Sequence, residues 1–211
     1  LHRVDRRQRQ MCIRDRFYCE VRGNAKFSAL LQLLQKKQFD LSLVFVATKV
    51  MAGDLASQLT EAGYPAEAIH GDLRQKQRDQ VMRRYRDGKV NILVATDVAA
   101  RGIDVGGIDA VVNYDIPGDA ESYVHRIGRT GRADRTGVAY TFIYPRERGK
   151  LHGIISNTKA SIAPVVLDVK SALPEFSMLQ KQYQNESRNK RRNTGKPWNK
   201  SRSSHRPAFK A

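Results

Sequence analysis

Cysteine is nearly absent: Cys12 and Cys19 are the only two in 211 residues. They match no metal-ligand or redox spacing, so no disulfide scaffold is expected, and a cytoplasmic location is. No apolar run approaches the roughly 18–20 residues that a membrane-spanning helix needs, so no membrane contact of that kind is expected. The amino end is arginine-rich with no apolar stretch behind it and does not read as a secretory signal. The phosphate cradle Gly-x-x-x-x-Gly-Lys-Ser/Thr occurs nowhere, and no Asp-Glu pair follows an apolar strand to hold magnesium and water. Acidic residues are missing altogether from 187–211, a stretch with nine Lys or Arg.

What is abundant is positive charge. The formal net charge is +17, of which residues 1–16 carry +4 and residues 187–211 carry +9. A polyanion partner follows, because each neutralised phosphate releases condensed counterions. The plainer alternative is a basic tail that keeps the chain soluble.

From residue 17 to about 158, short apolar runs alternate with amphipathic patterns. The 3.6-residue spacing predicts helices over 25–38, 51–62, 73–87, 122–127 and 146–156, with Asp72 as N-cap of the third. The runs 43–46, 66–69, 92–95, 110–114 and 138–143 read as strands, as does the segment from Phe17 to Val21. Strands this apolar imply a sheet buried on both faces, hence a doubly wound parallel α/β domain with ligands at the carboxyl ends of its strands. Residues 1–16 follow neither period and read as a non-native or disordered leader. Residues 159–186 read as a linker, and 187–211 as a disordered basic tail suited to a nucleic acid, which the resemblance given below makes RNA.

Four segments carry candidate chemistry. In Ala95–Asp104, Thr96 and Asp97 end a buried strand, Gly102 lets backbone approach a phosphate or sugar, Arg101 supplies charge, and Asp104 suits a ribose hydroxyl. The same residues also fit an ordinary strand-to-helix loop. In His125–Arg132, the guanidinium forks of Arg129 and Arg132 suit bidentate phosphate binding. Gly128 and Gly131 would let the chain leave a helix with both forks on one side. The cations Arg126, Arg129 and Arg132 would repel one another unless an anion is expected. Gln75 and Arg78, behind His70-Gly71-Asp72, share a helix face and could meet a phosphate backbone, or simply water. Thr48 and Lys49 follow a buried strand and by themselves mark only a loop. Arginine forks without a phosphate cradle must complete a site built elsewhere, which is the logic of an arginine finger.

In order and spacing these segments resemble the C-terminal helicase domain of DEAD-box RNA helicases, from about Phe17 to Ser156. Phe45–Lys49 is similar to motif IV, Gln75–Arg78 to IVa, Ala95–Asp104 to V and His125–Arg132 to VI. The bacterial cold-shock and ribosome-assembly helicases look most similar. The resemblance implies a RecA-like fold and arginine fingers at Arg129 and Arg132 for ATP, with Asp104 on its ribose. His125 would couple to the carboxylates of a partner domain. The path of the RNA would be lined by Thr48, Gly71, Gln75, Arg78, Thr96, Arg101 and Gly102. ATP and magnesium would be held mainly by an N-terminal RecA-like domain, so no metal is expected on this chain's own residues, and the chain by itself would be inactive. RNA is the expected partner, with ribosomal or RNA-degradation assemblies as further candidates. Ala47, Arg74 and Asp134 depart from the family pattern. A stand-alone RNA-binding or chaperone module without ATPase activity is the alternative reading, and half of a DNA helicase is another.

Overall fold

The computed structural model describes residues 13–101, 103, 105–131 and 136–167. Gly102, Asp104 and Arg132, all candidate site residues, lie outside the described residues, as does the whole of 187–211. Everything described belongs to one compact unit that runs to Lys170.

Its frame is a seven-stranded, wholly parallel sheet in the order β3-β4-β2-β5-β6-β1-β7. The strands are β1 (Ile13–Glu20), β2 (Ser42–Phe45), β3 (Ala66–Ile69), β4 (Ile92–Ala95), β5 (Ala110–Asn113), β6 (Gly137–Ile143) and β7 (Ala163–Pro164). The helices are α1 (Lys26–Lys37), α2 (Lys49–Glu61), α3 (Gln75–Arg86), α4 (Asp97–Ala100), α5 (Ala120–Ile127) and α6 (Arg148–Thr158). A parallel pair needs a crossover, and helices supply those that join β2, β3, β4, β5, β6 and β7 in turn.

Every residue of β2, β4 and β5 is buried, the pattern of strands covered on both faces. Alternation divides the core. Leu43, Phe45, Leu93, Ala95 and Val111 point to one side, against Val81, Met82 and Tyr85 of α3 and Ala99 and Ala100 of α4. A second cluster gathers Tyr123 and Ile127 of α5 with Leu151 and Ile154 of α6 over Ala139 and Ile143 of β6. The buried residues of α1 and α2 belong to neither cluster. By alternation Val44, Val94 and Val112 face away from the first one. The doubly wound RecA-like α/β fold expected from the sequence is the one observed.

Three local expectations are corrected. First, β1 starts at Ile13, inside the stretch read as leader, and Arg16 is in register with Ala139. Strand pairing is a backbone property, and polar side chains at the amino end of a strand do not prevent it. Second, Asp72 does not cap α3: the helix starts at Gln75, and the Arg74 N–H donates to Gln77 Oε1 at 3.0 Å. Third, the stretch read as linker holds β7, which lies in register with Phe17 and Tyr18 of β1.

Candidate functional site at the carboxyl edge of the sheet

The polar loops converge where β2, β4 and β5 end side by side, and Arg126 ties them together. The N-cap of α5 is Asp119, whose carboxylate accepts the Ser122 N–H at 2.7 Å and the Ser122 hydroxyl at 3.1 Å. The backbone bond from Ser122, reinforced by its hydroxyl, holds the Asp119 carboxyl below its ordinary value. Helical spacing then buries Tyr123, Arg126 and Ile127 together. Arg126 is 4% exposed. Its Nε and NH2 donate to the two oxygens of Asp97 at 2.6 and 2.7 Å. Its NH1 donates to Asn113 Oδ1 at 3.2 Å and to the Asp115 carbonyl at 2.7 Å. The guanidinium also stacks 5.0 Å from the centre of the Phe45 ring. One side chain therefore links the ends of all three strands, using the planar fork that lysine lacks.

This corrects the reading of the three arginines as mutually repelling until an anion arrives. Arg126 already has its anion in Asp97, within the chain.

A second buried ion pair supports the first. Lys26 Nζ donates to Asp115 Oδ1 at 2.9 Å and lies 4.3 Å from the centre of the Tyr144 ring. The other Asp115 oxygen accepts the Ala47 N–H at 3.0 Å. The loop after β2 is thus held by a backbone bond that does not depend on the side chain at 47. Next to it, Thr48 is the N-cap of α2, its Oγ1 accepting the Met51 N–H at 3.2 Å.

Beyond α5 the chain turns sharply. Gly131 has a φ of 68°, a left-handed conformation that glycine adopts at no steric cost, whereas Gly128 sits at −66°. Only one of the two glycines is therefore required by the backbone. Thr130, 1% exposed, anchors the turn by donating to the Ile108 and Asp109 carbonyls. Gly137 packs so closely on this turn that a Cβ there would collide with the Thr130 side chain and lie 2.5 Å from the Gly131 nitrogen.

A cleft of about 230 Å³ opens here, lined by His125, Arg126 and Arg129 from one side and Asp97 and Arg101 from the other. Arg129 NH1 donates to the Ile103 carbonyl at 3.0 Å. Arg129, His125 and Arg101, read from the sequence as nucleotide-side and RNA-side residues, line the same cleft.

The other candidates are arranged less uniformly. Thr96 is the N-cap of α4 without a side-chain cap bond, and a Cβ on Gly71 would meet nothing within 4 Å. Gln75 Nε2 donates to Asp79 Oδ1 at 2.8 Å. Arg78 NH2 donates to the Ala99 carbonyl at 2.6 Å and the Arg101 carbonyl at 3.3 Å, closing the end of α4. Arg78 therefore braces the loop that carries Arg101. Asp72, rather than capping α3, pairs with Lys49 at 2.7 Å, and that bond lowers its carboxyl from the ordinary value. Sequence reasoning missed Lys26, Asn113 and Asp115 as parts of this edge. Among the described residues, no group of three or more His, Cys, Asp or Glu is placed to hold a metal, and no helix is long and apolar enough to cross a membrane.

An all-parallel, doubly wound sheet with its polar loops gathered at the carboxyl ends of adjacent strands defines a RecA-like α/β domain. The chain belongs to the helicase conserved C-terminal domain family, whose model matches residues 25–134, and within it to the DEAD-box type. It is 54% identical over 143 residues to the DEAD-box ATP-dependent RNA helicase CshA of Geobacillus kaustophilus, covering 68% of this chain and 31% of that protein. The Escherichia coli DEAD-box protein SrmB, solved bound to regulator of ribonuclease activity A, is 35% identical. Its TM-score is 0.70, with coverage of 74% of this chain and 92% of that one. Dbp5 of Saccharomyces cerevisiae, solved with RNA and ADP BeF3, is 32% identical. There the TM-score is 0.69, with coverage of 83% and 45%. The chain spans about a third of the length of the curated relatives it matches.

Proposed function

We propose that this chain is the half of an ATP-dependent RNA helicase that presents Arg129 and Arg132 to ATP held by a second RecA-like domain. It would also line one side of the RNA path with Thr48, Gly71, Gln75, Arg78, Thr96, Arg101 and Gly102. One observation carries the reading. Arg126 is buried with its fork on Asp97, whereas Arg129, three residues on, is only half-buried on the cleft that His125 also lines. An arginine needed only for packing would follow the first pattern.

The chemistry follows from charge. When water attacks the γ-phosphorus and the bond to the β-γ bridging oxygen breaks, negative charge shifts within the departing phosphoryl group and ADP. Guanidinium groups already fixed in a cleft stabilise that charge without reorganising. Asp104 would accept from the ribose and His125 would meet the carboxylates of the other domain. Magnesium enters this reading with the nucleotide, and no residue of this chain is assigned to it.

Coupling to RNA is supported by the bonds between segments. Arg78 holds the carbonyls of Ala99 and Arg101, and Asp97, three residues before the cleft-lining Ala100, grips Arg126. A shift of the RNA-side loop would therefore be passed to α5, which ends two residues before Arg129.

In the full-length protein containing this chain, Arg129→Ala should lower RNA-stimulated ATP turnover by roughly 10³-fold. A loss below about tenfold removes Arg129 from the role. The 211-residue chain, which has no phosphate cradle in its sequence, should not hydrolyse ATP by itself. Turnover by that chain would favour a different catalytic arrangement.

A further inference from the structure

The outward face of α3 has no part in the cleft. Residues 74–89 carry seven Lys or Arg against two acids, Asp79 and Asp87. Some of these cations are engaged inside the fold: Arg78 braces α4, and Arg84 pairs with Glu67 at 2.5 Å. Val81, Met82 and Tyr85 face the core. What remains is a line of exposed residues, Lys76, Gln80, Arg83 and Arg86, at helical spacings of four, three and three, so they form one ridge. From Lys76 to Arg86 it runs about 15 Å. Lys89, also exposed, follows just past the helix end. Among the described residues, Lys76, Arg83 and Arg86 make no ion pair.

We infer that this ridge binds the phosphate backbone of double-stranded RNA, as an extension of the RNA path that starts at the amino end of α3. Three features select that occupant. The ridge is cationic and none of its charges is balanced locally by an ion pair, so a polyanion gains by counterion release. No exposed residue of α3 is apolar, whereas a protein partner would need an apolar interface centre poor in lysine. No aromatic side chain is exposed there, so unpaired bases have nothing to stack on. An A-form duplex is recognised without base stacking, through phosphates and 2′-hydroxyls. The Gln80 amide, between two cations, can both donate to and accept from such a hydroxyl. The inference rests on the reading of Gly71 and Gln75 as part of the RNA path, because that is what places a duplex at this end of the helix.

The test uses the 211-residue chain with K76E/R83E/R86E, and K76Q/R83Q/R86Q as the neutral counterpart. Both alter only exposed side chains, and thermal melting checks that the fold is kept. Affinity is measured across a salt series for a fluorescent RNA duplex of about 20 base pairs and for a short single-stranded RNA. Charge reversal should weaken duplex binding by at least roughly tenfold and flatten the slope of log affinity against log salt by about 3. The neutral variant should show the same slope change with a smaller loss, and single-strand affinity should stay within about twofold. Unchanged duplex binding by both variants overturns the inference. The RNA-path reading then survives if Gln75→Ala still weakens single-strand binding. Failure of the unaltered chain to bind either RNA overturns both. Loss of binding to polyglutamate with duplex binding intact overturns the inference in favour of an acidic protein partner.

Discussion

Arg126 of α5 is 4% exposed and meets Asp97 with two hydrogen bonds, whereas Lys76, Arg83 and Arg86 of α3 are exposed and, among the described residues, meet no carboxylate. Both helices are amphipathic and carry arginine, and both pack on the same sheet. The difference is what faces each charge. A cation that the strands supply with a carboxylate becomes part of the frame, and a cation left to solvent is available to a partner. Residue type alone does not separate these roles.

If that contrast is right, substitutions should fall in a definite order of stability cost. Arg126→Ala should destabilise the domain by about 3 kcal/mol, the low end for breaking a buried pair because Asp97 stays partly solvated at 45% exposure. Chemical denaturation measures this, and a loss under about 1 kcal/mol would make Arg126 a surface residue in energetic terms. Gly137→Ala comes next, at about 1–3 kcal/mol, because the added carbon meets the Thr130–Gly131 turn and the Gly131 backbone cannot swing aside. It should also lower ATP turnover of the full-length protein, since that turn follows Arg129 directly. Retained stability would show that the turn can shift.

Asp119 gives a smaller effect with a pH signature. Its carboxyl lies below the ordinary value of 3.8 because ionised oxygens accept from Ser122. The folded state therefore favours the ionised form. The stabilisation is present above the ordinary value and is lost as pH falls through the lowered one. The melting difference between the unaltered chain and Asp119→Ala should be full at pH 7 and shrink below about pH 4. A pH-independent difference would assign the effect to helix propensity alone. The ridge variants stand last, with stability within about 0.5 kcal/mol of the unaltered chain.

Much of this was legible in the sequence. The apolar runs of β2, β3 and β4 and the helical spacing of α1 to α3 are local properties, and each element falls within a few residues of its expected place. Elements held by pairing rather than pattern were not legible. The four residues of α4 are too few to show a helical period, β7 has two residues, and the amino half of β1 is polar. That His125 and Arg129 are candidates for chemistry was readable from their motif. The partnership of Arg126 with Asp97 was not, because it depends on β4 and β5 both flanking β2, a sheet order that no residue pattern records. The same holds for Lys26 and Asp115, which are 89 residues apart.

The central claim is that two arginines three residues apart divide the work, Arg126 holding the strand ends and Arg129 serving the nucleotide. Arg126→Ala and Arg129→Ala, compared side by side in the full-length protein for thermal melting and RNA-stimulated ATP turnover, test it most directly. The expected result is that Arg129→Ala loses roughly 10³-fold in turnover with a smaller fall in melting temperature than Arg126→Ala, whose turnover loss is secondary to its stability loss. If Arg129→Ala instead melts as low as Arg126→Ala, or keeps its turnover, the division of roles is wrong.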